Sequence, residues 1–230
     1  MNETSVTSRR KALKTPRSAA IAGIIFSVLY GTSMVLINLS LPHDPSAGFS
    51  WLETEVRTVT LALNLIPYAG IAFLWFIGVI RDLLSDMEDR LFATVFLGSG
   101  LLFLALTFIG AALAAGLLSS YAIESSVLVQ SGVLTYSRKV IYHIFNIYAI
   151  RMAGVFMISL ATIWLRTGLM HRGWAFLTYV LALVLLLSID YSFWVTLIFP
   201  AWVLVVSVII LIRNLHNQPE GDIREVDTQS

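Results

Sequence analysis

The chain has 230 residues, of which 57% are hydrophobic and 13% charged, with Lys+Arg 15 against Asp+Glu 14 and a mean hydropathy of +0.82. A water-soluble domain of this length needs a charged skin that this composition does not supply, so lipid is the solvent for most of the chain. The near-zero net charge leaves no global argument for nucleic acid or an acidic substrate, and the absence of cysteine excludes disulfides, thiolate metal sites and a thiol nucleophile.

Residues 1–18 are polar, carry Arg9, Arg10, Lys11, Lys14 and Arg17, and are expected to form a poorly ordered basic tail. The stretch Ser8-Arg9-Arg10-Lys11-Ala12-Leu13-Lys14 resembles a twin-arginine export signal, with Ala12 where that motif prefers an aromatic residue. The apolar run behind it is too long for a signal core and no small-x-small cleavage site closes it, so it reads as a retained anchor. A bilayer core about 30 Å thick takes about 20 apolar helical residues, and backbone groups in lipid must be satisfied within the segment. The first span is accordingly predicted over 19–41, stopped by Pro42, and the second over 58–80, with a kink at Pro67. Between them an outer loop, 42–57, holds Trp51, Glu53 and Glu55.

The inner loop from Arg81 to Arg90 is followed by a third span over 91–118. Next comes an outer loop, 119–139, with room for a short interfacial helix, and a fourth span over 141–165 that contains Arg151. The long run that remains is split by Ser188-Ile189-Asp190-Tyr191-Ser192 into spans over 174–189 and 193–212, the last kinked at Pro200, and 213–230 form a polar tail. The prediction is an all-α polytopic transmembrane bundle of six spans. Arg81, Arg90, Arg166, Arg172, Arg213 and Arg224 fall on the side of the basic N-terminus, against only Arg57, Arg138 and Lys139 on the other, which places both termini in the cytoplasm. Two inverted three-helix repeats would carry matching prolines in the second and fifth spans and in the sixth and third; they do not, so a repeat-built transporter gains no support.

Arg151 is the strongest functional pointer, because a charge near the bilayer centre costs roughly 2.5 to 3.5 kcal/mol even on the insertion scale. Helical spacing sets Tyr148, Gly154, Ser159 and Thr162 near its face, which predicts a polar strip directed into the bundle. Asn38, Asn64, His143, Asn146 and Asp190 are the candidate partners in the outer half, together lining a cavity with a cationic floor that binds an anionic group or screens ions. The structural alternative is that Arg151 snorkels, or pairs with Asp190 and carbonyls to fix packing. Asp190 also suits the N-terminal cap of the last helix, and Asn38 and Asn64 suit interhelical hydrogen bonds.

A second pointer is the inner loop, where Arg81 at the end of one helix and Glu88 and Asp89 at the start of the next match the helix dipoles. Beyond that structural role they are candidates for an ionic latch or a docking site. Small residues at four-residue spacing, Gly23, Ser27 and Gly31, then Gly110 with Ala114, Ala111 with Ala115 and Ala112 with Gly116, predict close helix packing. Gly98-Ser99-Gly100 is too short for a phosphate loop and reads as packing. His43, His143, His171 and His216 are scattered without metal-ligand spacing, so neither metal nor cofactor is expected.

The sequence Ile66-Pro67-Tyr68-Ala69-Gly70-Ile71-Ala72-Phe73-Leu74-Trp75-Phe76, with Arg81-Asp82, Glu88-Asp89-Arg90 and Phe92-Ala93-Thr94-Val95-Phe96-Leu97-Gly98-Ser99-Gly100, resembles a group of bacterial multi-pass membrane proteins without an assigned activity. The resemblance covers under a quarter of the chain, implies a bacterial inner membrane and carries over no site residue. No hydrolase, kinase or metalloprotease motif is present, and no span holds a carboxylate pair, so an enzyme is not expected. The leading expectation is a small-solute or ion carrier or channel around Arg151. The alternative is a non-transporting module that binds another membrane protein or senses the envelope. Six helices seldom enclose a wide pore, so homo-oligomers in the bilayer are expected as well.

Overall fold

A computed structural model describes residues 3–40, 51–84, 90–168, 170–188 and 193–216. Within these residues the chain is helical apart from short turns: α1 (Glu3–Ser40), α2 (Trp51–Leu84), α3 (Arg90–Gln130), α4 (Val133–His143), a π-helical segment (Ile144–Ala149), α5 (Ile150–Thr167), α6 (Arg172–Leu187) and α7 (Phe193–His216). Five stretches are long and apolar enough to cross a bilayer: Arg17–Ser40, Thr54–Asp82, Leu91–Ile123, Val133–Thr167 and Val195–Ile212. The chain is a membrane-embedded, multi-pass helical protein. The shorter apolar α6 has 16 residues, about 24 Å of rise and less than the bilayer core.

Several expected boundaries move. The expected basic tail is helical from Glu3, continuous with the first span. The expected outer loop over 119–139 is absent; α3 continues to Gln130 and α4 begins at Val133. No proline or glycine interrupts the helix between Gly116 and Gly132, and Ser119 returns its hydroxyl to the Ala115 carbonyl at 3.0 Å, so nothing releases the backbone earlier. The turn comes at Gly132, whose φ of 73° is costly for any residue with a Cβ. Gly168, at φ 67°, ends α5 in the same way, its N–H bonded to the Trp164 carbonyl. The break at Ser188 falls where it was predicted, with residues 189–192 outside the described set. Pro67 and Pro200 both lie inside their helices.

Neighbouring helices run antiparallel around a filled centre, in the order α7, α1, α2, α3, α5, α6. The centre is aromatic. Phe73 lies 4.6 Å from Phe26, 5.3 Å from Phe103, 5.4 Å from Phe156 and 5.7 Å from Phe199, so rings from five helices meet at one depth. Phe96, Trp164 and Trp202 extend the cluster towards the face on which α1 begins, called here the N-terminal face. Phe73 meets Phe103 and Phe199 edge to face, and such pairs each add about 0.5 to 1.5 kcal/mol to area burial.

Glycines let the helices close on this core. A Cβ at Gly23 would strike the Ser207 hydroxyl of α7, one at Gly100 would lie 2.7 Å from Ile77, and one at Gly110 2.7 Å from Phe145. Gly98 and Gly31 meet nothing within 4 Å, so each small-residue motif is only partly used for packing. Short polar bonds add cross-links: Ser33 donates to the Ala62 carbonyl at 2.8 Å, Ser40 to Glu55 at 3.2 Å, and the Trp202 indole to Thr178 at 3.0 Å. On the N-terminal face the Arg166 guanidinium lies 4.6 Å from the centre of the Phe92 ring, joining α5 to α3.

Candidate functional site

Arg151 stands two residues inside α5, directly after the π-helical segment. Counting about 100° per residue, the buried side of α5 carries Ala153, Phe156, Leu160, Ile163 and Trp164, while Arg151, Val155, Ile158 and Thr162 line the opposite flank and are half-buried. This corrects the expectation of a strip directed into the bundle. The aromatic core claims the inward face, and of the expected strip Gly154 is buried under α6 and Ser159 is buried at the edge of that face, while Tyr148 is 57% exposed. Among the described residues Arg151 has no hydrogen-bond or ion-pair partner.

The flank that carries Arg151 is the one α6 covers. Thr162 meets the Tyr179 hydroxyl at 2.6 Å, and a Cβ at Gly154 would lie 3.1 Å from Leu186 and 3.2 Å from the Ala182 carbonyl. Because α6 ends at Leu187, its last turn lies level with Gly154, and Arg151 projects from the same flank about 4.5 Å farther on. The final carbonyls of α6 carry the negative end of its dipole, which offsets part of the cost of a guanidinium there. Arg151 is also about 7.5 Å of helix rise beyond Phe156 and the aromatic level, away from the N-terminal face. It therefore lies beyond the centre of the bundle.

Helix heights define what surrounds it. From the aromatic level, α7 is described back to Phe193, about 9 Å, and α1 extends from Phe26 to Ser40, about 21 Å. The end of α6 thus lies near Arg151 while α1 continues beyond it, and the π-helical segment flanks this level. A π-helix leaves the regular ladder and is frequently found at functional positions. His143, Asn146 and Tyr148, all predicted site residues, lie on or beside it; His143 Nδ1–H donates to the Lys139 carbonyl at 2.7 Å and Asn146 donates to the Tyr142 carbonyl at 3.1 Å.

The remaining predicted site residues do not join this group. Asn38 is half-buried near the end of α1, about 10 Å farther from the N-terminal face than Arg151. Asn64 is exposed on the outer side of α2, which corrects its placement in the cavity: Ile66 and Phe73 take the inward positions of that helix. Asp190 lies outside the described residues, as do Glu88 and Asp89 of the latch, whose Arg81 is exposed. The π-helical segment was not foreseen, and no residue type in Ile144–Ala149 announces it. No group of three potential metal ligands occurs among the described residues. No protein family model, curated protein or solved structure matches the chain.

Proposed function

We propose that the chain is a six-span protein of a bacterial inner membrane with both termini cytoplasmic, and that it is a carrier for a small anionic solute, non-enzymatic and free of cofactors. The N-terminal face is then the cytoplasmic one, a reading supported by the arginine distribution. The observation that carries this reading is a half-buried Arg151 without a polar partner among the described residues, level with the C-terminal end of α6. A cation at that depth is costly unless something anionic meets it. The aromatic cluster beneath Arg151 favours a carrier over an open channel, because a solute must displace Phe26, Phe73, Phe103, Phe156 and Phe199 to pass.

The test is flux of small anions, chloride, phosphate, acetate and acidic amino acids in turn, into vesicles holding the purified chain. Arg151→Gln is expected to reduce the transported anion's flux at least about tenfold, the equivalent of 1.4 kcal/mol of lost binding, and Arg151→Lys to retain part of it. Equal flux from all three proteins for every anion refutes the carrier.

A second reading, a non-transporting module that binds another membrane protein, is favoured by α3. Its apolar stretch Leu91–Ile123 has 33 residues, only 28% of its most apolar window buried. That is about 50 Å of helix against a core of about 30 Å, more than ordinary tilt absorbs. In that case photo-crosslinkers placed at Leu113 and Ile123 trap one other membrane protein in cells, and anion flux is absent.

A further inference from the structure

The lipid-facing side of α2 is polar where it should not be. Arg57 and Arg81, both exposed, are 24 residues apart on this helix, about 36 Å, which brackets a bilayer core centred near Ala69. Asn64 then lies about 7.5 Å from the midplane and Tyr68 close to it. Both are exposed, Tyr68 to 65%, and neither has a hydrogen-bond partner among the described residues. Acyl chains offer a carboxamide no donor or acceptor, so each isolated copy holds this amide at a cost.

The same face has a seven-residue repeat. Asn64, Ile71 and Gly78 recur at that spacing, interleaved with Tyr68 and Trp75, and all are exposed. This is the pattern of a helix–helix seam, and a Cβ at Gly78 would meet nothing within 4 Å, so a second backbone has room to approach there. The occupant follows from the chemistry of Asn64. Copies inserted in one orientation are related by a two-fold axis along the membrane normal, which brings identical residues together at identical depth. A carboxamide is self-complementary, since its NH2 donates to the carbonyl of the other copy and its carbonyl accepts in return. A lone asparagine in an otherwise apolar seam fixes register and favours pairing.

We propose that α2 is the interface of a parallel homodimer, with Asn64 bonded to Asn64 of a second copy and Ile71, Trp75 and Gly78 packed along the seam. The proposal is independent of the anion site, because Asn64 and Arg151 face different surroundings.

The chain has no cysteine, so single replacements report contacts directly. Ile71→Cys and Tyr68→Cys, made with Asn64 intact and oxidised in native membranes, are expected to give a covalent dimer of this chain, whereas Val180→Cys, equally lipid-exposed on α6, is not. Energy transfer between labelled full-length copies in vesicles of decreasing protein density then gives the dimer dissociation constant. Asn64→Leu is expected to raise it about 3- to 30-fold, and Asn64→Gln to restore most of the loss. A monomer at all densities, crosslinking as strong from Val180→Cys, an adduct with a different protein, or an unmoved constant for Asn64→Leu each overturns the proposal.

Discussion

Ser207 of α7 is the one buried serine hydroxyl among the described residues that has no hydrogen-bond partner. Ser27, Ser99 and Ser159, in the same apolar surroundings, return theirs to a carbonyl four residues back. At Ser207 the hydroxyl is instead pressed into the notch left by the missing side chain of Gly23. In an isolated helix that hydroxyl recovers its local bond, so the assembled bundle forfeits about 1 kcal/mol there. Ser207→Ala is therefore expected to leave stability unchanged or raise it by up to about 1 kcal/mol. Gly23→Ala should cost about 1 to 3 kcal/mol, because the methyl collides with the hydroxyl and lies 2.8 Å from the Phe76 ring.

Combined with Ser207→Ala, the methyl meets only Phe76, and roughly half the cost should disappear, a coupling on the order of 1 kcal/mol against the 0.3 to 0.5 expected of independent sites. Reversible unfolding in mixed micelles, followed by helicity, measures all four proteins. The same cost for Gly23→Ala in both backgrounds would show that α1 and α7 do not meet at this point, and the packing argument would fail.

Three further outcomes follow from the same geometry. Gly110→Val should destabilise by about 1 to 3 kcal/mol through Phe145, while Gly116→Val, where a Cβ meets nothing within 4 Å, should stay within about 0.5 kcal/mol; unfolding midpoints compare the two. Phe73→Ala, at the junction of five helices, is expected to cost about 3 to 5 kcal/mol, more than Phe176→Ala on the exposed side of α6, measured by the same titration. Trp202→Phe removes the indole bond to Thr178 and should cost about 1 to 2 kcal/mol, with Thr178→Val no worse in that background than alone, which a double-mutant cycle reads directly.

The membrane class was legible because it needs only apolar run length: five long apolar stretches stand where spans were predicted, while the run predicted from 174 falls on the shorter α6. Loops were less legible. Hydropathy falls after Leu118, which suggested a loop over 119–139, but hydropathy measures the solvent of a segment and not its backbone; Gly132 was the true stop signal, as the sole glycine or proline between Gly116 and Gly154. The N-terminal tail misled for the same reason, since charge without apolar periodicity is compatible with a helix that continues one already nucleated.

The candidate site was half legible. His143, Asn146, Tyr148 and Arg151 are close in sequence, and one helical rod keeps them close in space. Asn64 misled because polarity within a span marks an unmet hydrogen bond without saying which face it occupies, and only the positions of Ile66, Ala69 and Phe73 against the core show that it points outward. The inward face of α5 follows the apolar series Ala153, Phe156, Leu160 and Trp164 and not the single charge of Arg151, which sits on the opposite flank.

The central claim is that water reaches Arg151 from the face opposite the N-terminus. Single cysteines at Tyr148 and Asn146, in a chain that otherwise has none, can be exposed in intact cells to a membrane-impermeant charged maleimide, with Phe108→Cys of α3, which packs over Gly70 of α2, as the comparison. Rapid labelling at 148 and 146, slowed by the transported anion, together with an unreactive 108, is the predicted result. Positions 148 and 146 as inert as 108 would mean that lipid fills the level of Arg151, and the anion site would be contradicted.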